Sequence, residues 1–152
     1  MVVCSGLLTL QKFPARKTLG DWRLLKSMQK IDANVLLRYI LNDNAELSPL
    51  AKEIIDEHIV EIPIEVLCEA VYVLTKYYKI DRQAVCSELK YFFEQTQCVL
   101  YRREAVLQGI EHFETSSLDF VDCVLAGYAK VYKDEIHTFD TKLRKLLEEK
   151  AR

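Results

Sequence analysis

The chain has 152 residues, half of them hydrophobic, with only four glycines and three prolines, which suits one compact core and excludes a collagen-like, disordered or linker-rich protein. Its formal charge of −2 hides an imbalance: residues 1–27 carry five bases (Lys12, Arg16, Lys17, Arg23, Lys26) against Asp21, leaving 16 bases and 22 acids, a net −6, from Met28 onward. An acidic body excludes general nucleic-acid binding through backbone charge, so any phosphate affinity needs a local basic rim or bound metal ions.

Residues 1–27 are basic, weakly periodic and broken at Phe13-Pro14 and Leu19-Gly20, and are read as an N-terminal extension or an upstream stretch before a true start at Met28. The segment Val2–Leu10 is apolar but lacks the basic leader and small-residue cleavage site of a signal peptide. A strand is predicted over 28–32 and a helix over 34–42. Ser48-Pro49, with Ser as N-cap and Pro at the first helical position, opens a helix to about His58. Ile59–Ile62 reads as a short strand. Pro63 starts a long helix to about Tyr78, with Ile64, Leu67, Cys68, Val71, Leu74 and Thr75 at helical spacing. Asp81 caps a helix to about Gln95, Cys98–Tyr101 is a strand, and a helix runs from about Glu104 to Phe113. Ser116 or Ser117 caps a helix from Leu118 to about Tyr132, followed by a strand at Ile136–Phe139 and a helix at Asp140–Lys150. Strands alternating with helices predict an α/β fold with a central parallel sheet covered on both faces.

Five cysteines, an odd number and never spaced Cys-x-x-Cys, argue against a zinc site or disulfide framework and suit the reducing cytoplasm. No apolar run approaches the roughly 18 residues of a membrane span. The histidines (His58, His112, His137) lack metal-ligand spacing and read as surface or edge residues, and there is no Gly-rich phosphate loop.

The acids carry the chemistry. Ligands of an open parallel sheet bind beyond the carboxyl ends of its strands. Asp32 ends the first strand and Asp140 follows the last. Glu69 and Asp122 are each the lone acid in an apolar helical run, and Asp119 shares a helical face with Asp122. Helix capping explains Asp32, Asp119 and Asp140 equally well. Glu69 and Asp122 cap nothing, and pair either with a buried base or with a metal ion. Hard carboxylate oxygens suit Mg²⁺ or Mn²⁺ better than zinc.

Four segments then match a known family: Ile31-Asp32-Ala33-Asn34-Val35-Leu36-Leu37, Val66–Leu74 around Glu69, Leu118–Ala126 around Asp119 and Asp122, and Thr138-Phe139-Asp140-Thr141-Lys142-Leu143. From Met28 to about Leu147 the chain resembles a PIN domain, in particular the toxin ribonucleases of bacterial toxin–antitoxin modules (VapC-like). The resemblance implies a PIN domain over 28–150, a three-layer α/β/α architecture, and a parallel sheet of about four or five strands. It implies that Asp32, Glu69, Asp122 and Asp140 form the catalytic and metal-binding set, with Asp119 as an accessory ligand and Asn34 and Thr138 in support. It also implies Mg²⁺- or Mn²⁺-dependent hydrolysis of RNA, and an antitoxin protein as partner. Ala33 stands where many relatives carry Thr or Ser.

An RNA backbone needs a basic rim, for which Arg38, Lys76, Lys142, Arg144 and Lys145 are the candidates. Tyr77-Tyr78 and Tyr91-Phe92-Phe93 are read as core or homodimer surface before base-stacking groups. Two other readings stand beside the toxin: a PIN-fold interaction module, whose helices 34–57 and 63–78 offer a groove, and a housekeeping RNA-processing nuclease.

Overall fold

Helices dominate residues 28–149, the part of the chain that the structure, a computed structural model, describes. The expectations for residues 1–27 and for the helix end at Lys150 lie outside it. In chain order the elements are β1 (Gln29–Lys30), α1 (Ala33–Leu41), α2 (Leu47–Glu57), β2 (Val60–Glu61), α3 (Ile64–Tyr72), α4 (Arg82–Gln95), α5 (Arg103–Thr115), α6 (Phe120–Tyr132) and α7 (Thr141–Glu149). A π-helical turn, Val73–Tyr77, extends α3.

The sheet is much smaller than expected. β1 and β2 pair in parallel, with Gln29 opposite Val60 and Lys30 opposite Glu61. A single parallel bridge from Glu61 to Val99 adds a third segment, held by Val99 N–H to Val60 O (2.7 Å) and Ile62 N–H to Val99 O (2.9 Å). The predicted four or five strands therefore reduce to two strands and a bridge among the described residues. Ile136–Phe139 lies in an unpaired segment between α6 and α7. His137 and Phe139 point into solvent there, so no buried face pins a register.

Helix starts follow local chemistry. Asp81 caps α4 as expected, accepting from the N–H groups of Gln83 and Ala84. Ser48 does not cap α2. It lies buried one residue inside the helix, while Asn44 Oδ1 accepts from the N–H groups of Glu46 and Leu47. Nor does Ser116 or Ser117 occupy the cap of α6, a position held by Asp119. Ser116 Oγ instead accepts from Leu118 N–H in the loop before it.

The core joins all seven helices through Leu36, Ile55, Leu67, Leu89, Ile110, Cys123 and Leu143. Phe92 and Phe93 are buried, Phe92 meeting Tyr39 edge to face at 5.3 Å, so part of the predicted aromatic run is core. His112 is buried as well, which corrects its reading as a surface residue. Cys86, Cys98 and Cys123 are buried free thiols, and Cys68 is half-buried. Burial raises the pKa of Cys68, Cys86 and Cys98 to about 11, so they behave as small apolar side chains. No helix among the described residues is long and apolar enough to cross a membrane.

Helices α5 and α6 pack backbone to backbone. A Cβ on Gly127 would stand 2.1 Å from the carbonyl oxygen of Ala105, and one on Gly109 2.9 Å from Val124 Cα. Only glycine permits this approach, which places α6 and the acid it carries.

Candidate active site

Asp122 lies in the first turn of α6 and is partly buried. Asp119 holds the N-cap position of the same helix, yet its side chain makes no capping bond and is exposed. Asp140 precedes α7, which packs against α6. Its Oδ1 accepts from the N–H groups of Lys142 and Leu143, both at 2.8 Å, and so caps α7. Burial, followed by the charges of Asp140 and Asp119, raises the Asp122 pKa above the ordinary aspartate value. The structure thus brings Asp119 and Asp140 each within electrostatic reach of Asp122. Like charges held close together without a compensating base favour a cation or a proton.

Asp32 ends the loop after β1 and caps α1, accepting from Val35 N–H at 3.0 Å. The capping role expected of it holds, whereas the strand it was to end stops two residues earlier, at Lys30. Glu69 sits on α3, which packs between α1 and α6. Its carboxylate is exposed, so its isolation among apolar neighbours in sequence reflects the solvent face of the helix. Asn34 is exposed in the first turn of α1. Thr138 Oγ1 accepts from Asp140 N–H at 3.0 Å and so fixes the backbone at that acid.

Among the described residues no three His, Cys, Asp or Glu side chains form a group that could hold a metal ion. A zinc-type cage is therefore not built here. The donors fit Mg²⁺ nonetheless, because that ion takes one or two carboxylates and completes its shell with water and substrate phosphate. Asp122, whose pKa is raised first by burial and then by the charges of Asp140 and Asp119, and Asp140 are the two carboxylates that could serve as such a pair.

The expected basic rim is thinner than its sequence suggests. The Arg38 guanidinium pairs with Asp43 at 2.5 Å and donates to the Tyr78 hydroxyl at 3.1 Å, so it is already committed. Lys142 and Arg144 stand exposed on α7 near Asp140, and Arg144 donates to the Thr138 carbonyl at 3.2 Å. Lys145 faces Glu149 at 3.9 Å.

One positioning residue escaped the sequence. Arg82, at the start of α4, has Nη1 within 2.7–3.1 Å of the carbonyls of Phe113, Ser116 and Leu118. Those carbonyls belong to the end of α5 and to the turn that leads from it into Asp119. Nothing in the local sequence marks an arginine that satisfies backbone groups more than thirty positions away.

A family model for the PIN domain matches residues 31–148, a span that includes Asp32, Glu69, Asp119, Asp122 and Asp140. No curated protein and no solved structure matches the chain.

Proposed function

Since the chain belongs to the PIN domain family, whose members are generally nucleases, we propose that it is a divalent-metal-dependent endoribonuclease and the toxin of a toxin–antitoxin pair. The observation that carries this reading is that Asp119 and Asp140, where α6 and α7 begin, both bear electrostatically on the partly buried Asp122, and no base among the described residues figures in its shift. Asp122 and Asp140 would hold Mg²⁺ or Mn²⁺, with Asp32 and Glu69 completing the acidic set and Asp119 as its accessory member.

When bound, such an ion lowers the pKa of water and offsets charge on a phosphodiester. The chain's own part is orientation. The α7 N–H groups hold the Asp140 carboxylate in place, and Thr138 fixes its backbone. The α5–α6 glycine contact sets the depth of Asp122, and Asn34 supports the site beside Asp32. Lys142 and Arg144 are the bases nearest Asp140 in sequence and face solvent, where they can meet an RNA phosphate. Arg38 contributes least, being held by Asp43 and Tyr78.

An antitoxin protein and a second copy of the chain are the proposed partners. Exposed Leu47, Leu50, Tyr72 and Tyr77, on α2 and along α3 with its π turn, support a contact there. The four described cysteines, all free, support work in the reducing cytoplasm.

The test is cleavage of mixed cellular RNA by purified full-length protein with Mg²⁺ or Mn²⁺, with EDTA, and with Asp122→Asn. Metal-dependent cutting lost in the variant is expected. Cutting that survives both EDTA and Asp122→Asn would refute the site. Growth arrest on expression, relieved by a small protein encoded next to the gene, tests the toxin role.

A further inference from the structure

The residue before Asp140 is a phenylalanine left wholly in solvent. Phe139 is 100% exposed, while Phe92, Phe93, Phe113 and Phe120 are all buried. Its ring borders a surface cavity of about 530 Å³, within the range of roughly 300–1,000 Å³ typical of small-ligand sites. Ile136 and Leu147 give the lining further apolar surface, and His137, Arg144 and Glu148 give it polar groups of differing character. Thr138 joins cavity and acid: its carbonyl accepts from Arg144 Nη2, and its hydroxyl oxygen accepts from Asp140 N–H.

We propose that this cavity is a nucleobase subsite, in which a base of single-stranded RNA next to the cleaved phosphate stacks on Phe139 while its edge meets Arg144, His137 and Glu148. The proposal rests on the nuclease reading and adds to it the element that grips the substrate. An unstacked base offers a flat π face and an edge carrying both donors and acceptors. The lining matches both demands, with one aromatic face, a guanidinium donor and a carboxylate acceptor. Stacking on an aromatic side chain tolerates any base, so this contact supplies affinity in a domain whose net −6 opposes RNA. The segment's lack of a sheet partner leaves the ring free for the task.

The test uses the full chain carrying Asp122→Asn, so that RNA is bound and not cut. Trp22, the single tryptophan, is replaced by Phe, and Phe139→Trp provides a fluorescent reporter. A single-stranded oligoribonucleotide is expected to quench the emission of this introduced indole, and its abasic counterpart is not. In the same background, Phe139→Ala is expected to weaken oligonucleotide affinity about tenfold relative to Phe139, as loss of one stacking contact requires. It should also erase the preference for the base-bearing chain. Equal quenching by the abasic chain, or affinity within about twofold after Phe139→Ala, overturns the subsite. A change in oligomeric mass with RNA affinity unaltered overturns it too, and assigns the ring to a protein contact. Wild-type cleavage is scored separately, so loss of the nuclease reading and loss of the stacking contact give different results.

Discussion

The Arg82 guanidinium lies 3.9 Å over the ring of Phe113 while the same group donates to the Phe113 carbonyl. Phe113 in turn meets Phe120 edge to face at 5.3 Å. A chain of contacts therefore runs from the start of α4 through the end of α5 to the start of α6, where Asp119 and Asp122 stand. Arg82→Ala leaves the carbonyls of Phe113, Ser116 and Leu118 without their donor and is expected to cost about 2–3 kcal/mol. Arg82→Lys keeps the charge but loses the planar stack, and should recover only part of it. Urea denaturation of the two variants checks the order; a Lys variant as stable as wild type would refute the stacking role.

Gly127→Ala is expected to disrupt the α5–α6 packing more than Gly109→Ala. Its Cβ would fall 2.1 Å from the Ala105 carbonyl oxygen, which cannot yield without moving the α5 backbone. Overpacking of this kind costs about 3 kcal/mol or more, and Gly109→Ala, with its closest approach at 2.9 Å, should cost less. Thermal unfolding of both variants measures the difference.

Asp122 makes the protein's stability depend on pH in an unusual sense. Its pKa is raised in the fold by burial, Asp140 and Asp119, so the native state binds this proton more tightly than the unfolded chain. Stability from this group is therefore greatest at low pH, and is lost as pH rises from the unfolded aspartate value near 3.8 through the raised folded value. In metal-free protein, Asp122→Asn should raise the melting temperature at neutral pH, and the gain should vanish as pH approaches about 4. A variant less stable than wild type at neutral pH would overturn the cost assigned to burying this charge beside Asp140 and Asp119.

Divalent metal should reverse the same penalty. Mg²⁺ or Mn²⁺ at roughly a hundredfold excess over its dissociation constant is expected to add about 2.7 kcal/mol to wild-type stability. The double variant Asp122→Asn, Asp140→Asn should show no such gain. Differential scanning fluorimetry with and without EDTA reads both.

The helical part of the fold was legible in sequence because apolar spacing at about 3.6 residues and the Asp81 cap are local signals. The sheet was not. Its strands are two residues long, and pairings such as Val60 with Gln29 and Val99 depend on distant backbone. Among the acids, Asp32 and Asp140 stand at helix starts as their capping chemistry predicts, but the strand expected before Asp140 is absent among the described residues, and β1 ends two residues before Asp32. Glu69 misled in one respect. Apolar neighbours suggested an acid sunk in the core, but Glu65, Glu69 and Tyr72 all lie on the outer face while Leu67, Ala70 and Val71 turn inward. One-dimensional isolation does not distinguish a buried charge from the solvent side of an amphipathic helix. Arg82 was invisible because its partners are backbone carbonyls, which carry no residue-type signature.

The π turn at Val73–Tyr77 sets the azimuth at which the chain leaves α3. Its wide hydrogen bond runs from Tyr78 N–H to Val73 O at 3.0 Å, and a bond from Ile80 N–H to Leu74 O, also at 3.0 Å, closes the helix end around Lys79, whose φ is 56°. Such a turn amounts to one extra residue in the helix, and one residue corresponds to about 100° of rotation. From the end of this turn the Tyr78 hydroxyl donates to Asp43 and accepts from Arg38. Excising a single residue between Val73 and Tyr77 is therefore expected to rotate Tyr78 away from Asp43 and Arg38.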